Sequence, residues 1–223
     1  FLENPMMMRQ FARTLISASL LAGVAGVAQA AEPFVAGTDY TVLSSPGVVE
    51  KPGQIEVREF FWYGCPHCYK LEPHVVNWLK TKPADVNFIR TPAAMNPVWE
   101  QNARGFYAVE MMGQTAKVHE PLFNAIQVGR QRLFDQASLG RFYASQGIDL
   151  NKFNALYNSF PVMGKISQSR NLAMKYQLDG VPALVVNAKY VVKGEDAKSL
   201  QVVNYLISKE RALMPRAAAA AAR

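Results

Sequence analysis

The chain has 223 residues, a formal net charge of +7, an apolar fraction of 50 % and two cysteines, Cys65 and Cys68. An apolar fraction of this size supplies a large core, which excludes a miniprotein that depends on disulfide staples. The basic residues are scattered rather than clustered, so we interpret the charge as a solubility feature and expect no nucleic-acid partner.

The first thirty residues have the composition of a secretory signal peptide. Arg9 and Arg13 provide a positive segment, an apolar run covers residues 15–27, and residues 28–30 (AQA) form a cleavage site after Ala30. An uncleaved anchor is the alternative, but the run is shorter than the ~20 residues that a membrane span needs. We therefore expect an exported protein that works in an oxidising compartment.

The two extreme ends carry little information on the fold. Residues 1–5 precede three methionines, and we interpret them either as vector-derived residues or as an upstream reading of the start site. Residues 213–223 end in PRAAAAAAR, a segment with little to bury, so we expect a disordered or frayed tail there.

The first regular elements predicted along the chain are a strand, a helix and a second strand. Residues 54–63 (QIEVREFFWY) have the β-branched and aromatic composition of a strand. A helix is predicted over 66–79, where Pro66 suits the first helical position and Pro73 is expected to introduce a kink. The second strand is predicted over 86–90 (VNFIR).

A block of helices follows, with no convincing strand between residues 95 and 176. Strand patterns return only near the C-terminal end, before one last amphipathic helix. The predicted helices of the block lie at 97–112, 115–128, 135–146, 151–158 and 161–176, and the later elements are strands at 183–187 and 190–193 and a helix at 197–212.

This order of elements predicts an α/β protein with a thioredoxin-like fold and an inserted α-helical domain. A β-α-β unit and a β-β-α unit build the core, and the helical block separates them. We therefore assign residues 38–94 and 171–212 to a discontinuous thioredoxin-like domain and residues 95–170 to the insertion.

Cys65 and Cys68 form a C-x-x-C motif at the predicted start of the first helix. Free backbone N–H groups and the helix dipole stabilise an anion at this position, so we expect the pKa of Cys65 to fall below that of a free cysteine. His67, between the two cysteines, adds a donor and a positive charge. A stabilised thiolate makes the disulfide form a strong oxidant. Cys68, one turn further, is expected to be the less exposed partner.

A structural staple or a zinc site are the alternatives for this motif. The loop that the two cysteines would close is very short, so its disulfide would stabilise the fold little. A structural zinc ion needs four ligands. His67 and His74 lie near the two cysteines in sequence, but there is no second C-x-x-C or C-x-x-H pair to complete such a site. We expect no metal, and we place His74 and His119 on a helix surface or at the edge of the core.

Glu59 is the second informative residue of the first strand. Side chains alternate along a strand, so Glu59 shares a face with the apolar residues Ile55, Val57, Phe61 and Tyr63. Burial is expected to raise the pKa of this carboxyl. Glu59 is either a proton acceptor and donor for Cys68 or the partner of Arg90 in a buried ion pair, and the two roles are compatible.

The segment Gly180-Val181-Pro182 precedes the third predicted strand. A cis Val181–Pro182 bond would permit a proline at this position and leave the Val181 backbone able to bind an extended peptide. The ordinary alternative is a trans proline at the start of an edge strand.

Together, EFFWYGCPHCYKLEP, GVPALVVN, the helical block between them and the signal peptide resemble the DsbA family of periplasmic thiol:disulfide oxidases over residues 38–212. The resemblance implies that Cys65 is the exposed nucleophile that forms a mixed disulfide with the substrate. It implies that Cys68 is the buried partner and that Pro66 and His67 form the dipeptide that sets the redox potential.

The resemblance also implies that Glu59 is a buried acid, that Pro182 is a cis-proline and that Val181 faces the substrate. It implies no cofactor beyond the redox-active Cys65–Cys68 disulfide. The expected partners are reduced exported proteins, as substrates, and an inner-membrane quinone-linked oxidase of the DsbB type. The expected location is the periplasm, and nothing in the sequence calls for more than a monomer.

Three features depart from the pattern of the family: Gly64, Pro73 inside the first helix and the Thr91-Pro92 turn after the second strand. Gly64 stands directly before Cys65, where relatives can carry a bulkier residue, and this difference is expected to alter the rim of the groove. A disulfide reductase or isomerase on the same fold and a non-catalytic peptide-binding chaperone remain the alternative functions. A reductase would have a higher pKa at Cys65, and a chaperone would not need both cysteines.

Overall fold

The computed structural model of the protein describes residues 32–214. The predicted signal peptide, residues 1–30, lies outside this part of the chain, as do residues 215–223 of the predicted tail. Leu213, which we assigned to the tail, is instead the last residue of the C-terminal helix.

The described residues contain five strands and seven helices. The strands form one sheet in the order β1-β5-β4-β2-β3, in which only β2 and β3 run parallel. The strands are β1 (Thr41–Val42), β2 (Ile55–Phe61), β3 (Val86–Pro92), β4 (Ala183–Val186) and β5 (Tyr190–Lys193). The helices are α1 (Pro66–Leu79), α2 (Pro97–Met111), α3 (Thr115–Gln127), α4 (Gln136–Ser145), α5 (Leu150–Tyr157), α6 (Phe160–Lys175) and α7 (Ala197–Leu213).

The order of elements agrees with the prediction, and the differences lie at strand ends. Strand β3 continues through Thr91 and Pro92, which we had expected to end it. Pro92 is tolerated because β3 is an edge strand, where a missing N–H leaves no gap in the interior of the sheet. The two-residue strand β1 was not predicted, since two residues are too few to show an alternating pattern.

Strand β2 is buried along its whole length and carries the core on both faces. On one face, Ile55 and Val57 pack with α1 and α7 in a single apolar cluster. On the other face, Phe60 packs with residues near the end of α6, including Tyr176. Burial on both sides fixes the register of β2, which places Glu59 opposite Arg90 on β3.

The helical block packs around the end of β2 that leads to α1. Its cluster of buried side chains includes Phe61 at the end of β2, Tyr63 just after it, both cysteines, and apolar residues of α2 to α6. The two cysteines therefore lie at the seam between the sheet and the helical block. The division of the chain into a thioredoxin-like domain and an insertion at residues 95–170 stays a prediction.

Within residues 32–214, no helix combines the length and the apolar character that crossing a membrane requires.

Candidate active site

The two cysteines occupy the first turn of α1. Cys65 is the N-cap residue, with an extended backbone (φ −89°, ψ 117°), and Pro66 takes the first helical position as predicted. The Cys65 N–H donates to the Trp62 carbonyl (3.0 Å), which closes a tight turn after β2. Both cysteines are free thiols, so the structure shows the reduced pair.

The two thiols differ in burial, although less than we expected. Cys68 is 0 % exposed and Cys65 is 7 % exposed. The expectation of an exposed Cys65 is wrong, because the loop before β4 covers it: the Cys65 Sγ lies 3.5 Å from the Val181 carbonyl oxygen. Cys65 nevertheless remains the more accessible sulfur of the pair.

The pKa values of the two thiols are driven apart. A hydrogen bond from the Cys68 thiol lowers the pKa of Cys65 to about 6, with help from the backbone N–H groups of Cys68 and His67 and from the charge of His67, and against the effect of burial. Burial, above all, raises the pKa of Cys68 far beyond that of a free cysteine. At neutral pH, Cys65 is therefore largely a thiolate and Cys68 a thiol. The predicted direction for Cys65 is confirmed, but its largest cause is the neighbouring thiol.

The loop that covers Cys65 has the geometry that the sequence resemblance implied. The Val181–Pro182 peptide bond is cis. Strand β4, which follows at once, lies between β2 and β5. The alternative of a trans proline at the start of an edge strand is therefore wrong.

A groove of about 390 Å³ opens beside the cysteines. One wall is the loop with Val181 and Pro182, and the opposite wall holds His67, Lys193 and Glu195. A peptide that reached the sulfur of Cys65 through this groove would pass along the Val181 backbone.

Glu59 is buried beneath the cysteines, with 1 % of its surface exposed. Burial raises its pKa to about 7, the charge of Arg90 opposes this rise, and the charge of Glu72 adds to it. The Arg90 Nε lies 3.3 Å from the Glu59 Oε2, so the expected ion pair is present. The negative charge of Glu59 in turn contributes to the high pKa of Cys68.

Glu72 and His119 complete this buried cluster, and sequence analysis missed both. Arg90 donates to the Glu72 Oε1 at 2.6 Å, and the His119 Nε2 lies 3.4 Å from the Glu72 Oε2. The His119 Nδ1 is hydrogen-bonded to the Tyr63 hydroxyl at 2.7 Å. Burial lowers the pKa of His119 to about 3, so its ring is neutral. The expectation that His119 lies at a surface or core edge is wrong.

A helical pattern could have revealed both residues. Glu72 follows Cys68 by four positions and shares the buried stripe of α1 with Leu71 and Val75. His119 lies on the buried stripe of α3. His74, in contrast, is exposed on α1, as expected. Within residues 32–214, no three His, Cys, Asp or Glu side chains are placed so that they could hold a metal ion.

The space above Gly64 is filled by an aromatic ring. A Cβ at Gly64 would lie 2.3 Å from Cζ2 of the Trp62 indole. The indole is held in place because it stacks on Trp99 (ring centroids 4.9 Å apart) and its Nε1 donates to the Asn102 Oδ1 at 2.8 Å. Gly64 therefore leaves room for the Trp62 indole directly beside Cys65.

We expect Gly64→Ala to lower the free energy of unfolding by about 1–3 kcal/mol, because the added methyl group overpacks a ring that two contacts fix. Chemical denaturation measures the loss, and tryptophan fluorescence reports the displaced stack. Gly164→Ala is the matched control. Its Cβ meets nothing within 4 Å inside α6, so a gain of about 0.5–1 kcal/mol is expected. Equal stability of Gly64→Ala and the unaltered protein would contradict the assignment.

Comparison with known proteins gives one consistent family. A family model described as a DSBA-like thioredoxin domain matches residues 84–208. The thiol:disulfide interchange protein DsbA of Pseudomonas aeruginosa is 42 % identical over 206 residues, which cover 90 % of this chain and 98 % of that protein. The protein of the same name from Pseudomonas syringae pv. tomato is 45 % identical over 204 residues, covering 89 % and 95 % of the two chains.

Solved structures point the same way. The crystal structure of Pseudomonas aeruginosa DsbA superposes with a TM-score of 0.77 at 43 % identity and covers 82 % of this chain and 97 % of that chain. The oxidoreductase DsbA from Xylella fastidiosa gives a TM-score of 0.75 at 33 % identity, with 80 % and 98 % covered. The predicted thioredoxin-like fold is confirmed by these matches.

Proposed function

The chain belongs to the DsbA family and is a thiol:disulfide oxidoreductase, and we propose that it donates the Cys65–Cys68 disulfide to newly exported proteins through a mixed disulfide at Cys65. The observation that carries this proposal is the difference between the two thiols. Cys65 is the more accessible sulfur and has a pKa of about 6, whereas burial raises the pKa of Cys68. The stable thiolate of the reduced pair makes its disulfide oxidising.

The reaction begins on the oxidised pair. A substrate thiolate attacks the Sγ of Cys65, a new disulfide forms between substrate and Cys65, and the Cys65–Cys68 bond breaks. Cys68 leaves as a thiolate and takes a proton from Glu59. Glu59 can supply this proton because its pKa is about 7, so about half of its carboxyl groups are protonated near neutral pH.

A second substrate thiolate then attacks the substrate sulfur of the mixed disulfide. Cys65 leaves as a thiolate, which the Cys68 thiol and the backbone of His67 stabilise. The substrate has lost two electrons and two protons and carries a new disulfide, and the pair is reduced. His67 and Pro66 tune this equilibrium, while Val181 and Pro182 hold the substrate backbone beside Cys65.

The proposed setting follows from the family. The substrates are reduced proteins that have been exported to the periplasm. An inner-membrane quinone-linked oxidase of the DsbB type then accepts the two electrons from the reduced Cys65/Cys68 pair and restores its disulfide. The redox-active disulfide is the only reactive group that this cycle uses, so no cofactor or metal enters it. One chain carries all the residues of the cycle, which suits a monomer.

The test is a trapping experiment with two matched single-cysteine variants. Cys68→Ser keeps the reactive Cys65 but lacks the thiol that resolves a mixed disulfide, so it is expected to accumulate disulfide-linked adducts with a model protein disulfide. Cys65→Ser is expected to form almost none, because the pKa of the remaining Cys68 is high. Non-reducing electrophoresis and mass spectrometry count the adducts. Equal trapping by both variants, or trapping by Cys65→Ser alone, would overturn the assignment of Cys65.

A further inference from the structure

Glu195, in the loop between β5 and α7, touches the active-site helix from a distant part of the chain. Its Oε2 accepts a hydrogen bond from the His67 Nδ1, and its Oε1 lies 3.2 Å from the Lys70 Nζ. His67 and Lys70 lie on consecutive turns at the start of α1. One carboxylate therefore ties two side chains of α1 to the wall of the groove.

His67 is the route by which this contact reaches the sulfur. Its backbone N–H bonds the Cys65 sulfur, and its positive charge lowers the pKa of Cys65. The influences that lower the pKa of Cys65 come from Cys68 and His67, burial opposes them, and Glu195 is not among the causes. A carboxylate that accepts a hydrogen bond from one ring nitrogen of an imidazole fixes the orientation of the ring.

We propose that Glu195 is a positioning residue, which fixes the imidazole of His67 beside Cys65 and so makes the disulfide more oxidising than the C-x-x-C motif alone would make it. The proposal rests on the function proposed above. Glu195 acts through His67 and does not touch the reacting sulfurs.

Among the described residues, the other charged groups near His67 do not replace Glu195 as the acceptor for its imidazole. Lys70 also pairs with Glu195, and as a cation it accepts no hydrogen bond from the ring. Asp179 and Lys193, which line the same groove, pair with each other at 2.7 Å. Glu59 lies beneath the pair, where its partner is Arg90. Glu195 is thus the carboxylate in contact with the His67 ring among the described residues.

The expected effect is modest because the contact meets solvent. The side chains of His67 and Glu195 are 63 % and 37 % exposed, and water and salt weaken such pairs. We expect Glu195→Gln to raise the equilibrium constant for oxidation of the reduced pair by oxidised glutathione by about two- to fivefold, which corresponds to the usual strength of an exposed ion pair. The reduced pair becomes less favoured because the His67 imidazole is held less firmly beside its thiolate.

The experiment measures two quantities on the full-length mature protein. The first is the equilibrium constant with glutathione. The second is the pKa of Cys65 from thiolate absorbance, which is expected to rise in Glu195→Gln. Asp85→Asn is the control, because it removes a carboxylate from another exposed ion pair, with Arg211 (2.7 Å), just before β3. Since β2 and β3 are parallel, this position lies at the end of the sheet opposite Cys65, and no change is expected.

A background variant separates the His67 route from a purely structural one. In His67→Ala, the further change Glu195→Gln is expected to raise neither quantity, since the mediating charge is gone. An unchanged equilibrium constant in Glu195→Gln, or an equal rise in the His67→Ala background, would overturn the proposal. Failure of the proposed function looks different: the unaltered protein would then have an ordinary Cys65 pKa and the potential of a reductase.

Discussion

Replacing Cys65 with serine is expected to reduce the rate of disulfide transfer to reduced protein substrates by roughly a thousandfold or more, to the uncatalysed background. The Cys65 sulfur is the atom that the substrate attacks in the first step and the leaving group of the second, and a serine hydroxyl neither forms a disulfide nor leaves as a stable anion. Loss of the residue that carries a covalent intermediate costs an enzyme at least this much. The measurement is the refolding of a reduced, disulfide-containing substrate, followed by its regained activity.

The same variant separates catalysis from simple peptide binding. The Cys65 sulfur lies 3.5 Å from the Val181 carbonyl oxygen and accepts hydrogen bonds from Cys68 and His67, contacts that a serine oxygen is able to keep, so the groove is expected to keep its shape in Cys65→Ser. A protein that acted only as a peptide-binding chaperone would suppress the aggregation of unfolded substrates as well with serine as with cysteine. Full retention of disulfide transfer would refute the oxidase mechanism.

Replacing Glu59 with glutamine is expected to stabilise the oxidised protein at pH 8 by about 2 kcal/mol. Burial raises the pKa of Glu59 from 4.5 to about 7 in the folded protein. Between these two pH values the folded protein keeps a proton that the unfolded chain has released, so stability falls as pH rises from about 4.5 to 7. A glutamine has no proton to release and removes this loss.

The oxidised form is the right one for this measurement, because Cys65 does not titrate in a disulfide. Denaturant unfolding at pH 5 and pH 8 is expected to show a smaller difference for Glu59→Gln than for the unaltered protein; the remaining difference comes from Glu72, because burial raises its pKa to about 7 as well. In Glu59→Gln, Arg90 still pairs with Glu72, whose Oε1 lies 2.6 Å from the Arg90 Nη2. A pH difference as large in the variant as in the unaltered protein would contradict the buried-acid assignment.

Glu56→Gln is a matched control on the same strand. Glu56 is also buried, but it points to the opposite face, where it accepts from the Arg58 Nε at 2.9 Å and from the Glu50 N–H at 2.8 Å. Glu56→Gln removes one of the two carboxylates that pair with Arg58, whose Nη2 stays 2.6 Å from the Glu50 Oε1, so this variant is expected to lose about 1–3 kcal/mol at both pH values.

Glu59→Gln is also expected to slow catalysis. When the reduced pair is reoxidised, Cys68 must lose its proton before it attacks the mixed disulfide, and a glutamine does not accept that proton. General bases contribute on the order of 10²-fold or more to such steps. The rate of reoxidation by a small disulfide, measured from pH 5 to pH 9, is therefore expected to fall in the variant and to lose its dependence on a group that titrates near pH 7.

The parts of the fold that local patterns specify were predictable. The bounds of α1 follow from Pro66 and the apolar spacing, and they match the structure. The burial of Glu59 follows from strand alternation, and its pairing with Arg90 was foreseen. The resemblance implied the cis bond before Pro182.

Contacts between distant segments were not predictable. Glu195 meets His67 across 128 residues, and no periodicity marks a loop residue for such a contact. The cover over Cys65 comes from Val181, 116 residues away, so the burial of that thiol could not be read from its neighbours. Trp62 fills the space at Gly64 because Asn102 and Trp99 fix its ring, which only the packing of α2 reveals.

The seam between the sheet and the helical block also governs when the protein becomes reactive. During synthesis the cysteines leave the ribosome long before the helices that bury Cys68 and the loop that covers Cys65. Until those later segments fold, the buried environment that raises the pKa of Cys68 does not exist. The unfinished chain therefore carries two nearly equivalent thiols, and the asymmetry that directs disulfide exchange arises only in the completed molecule.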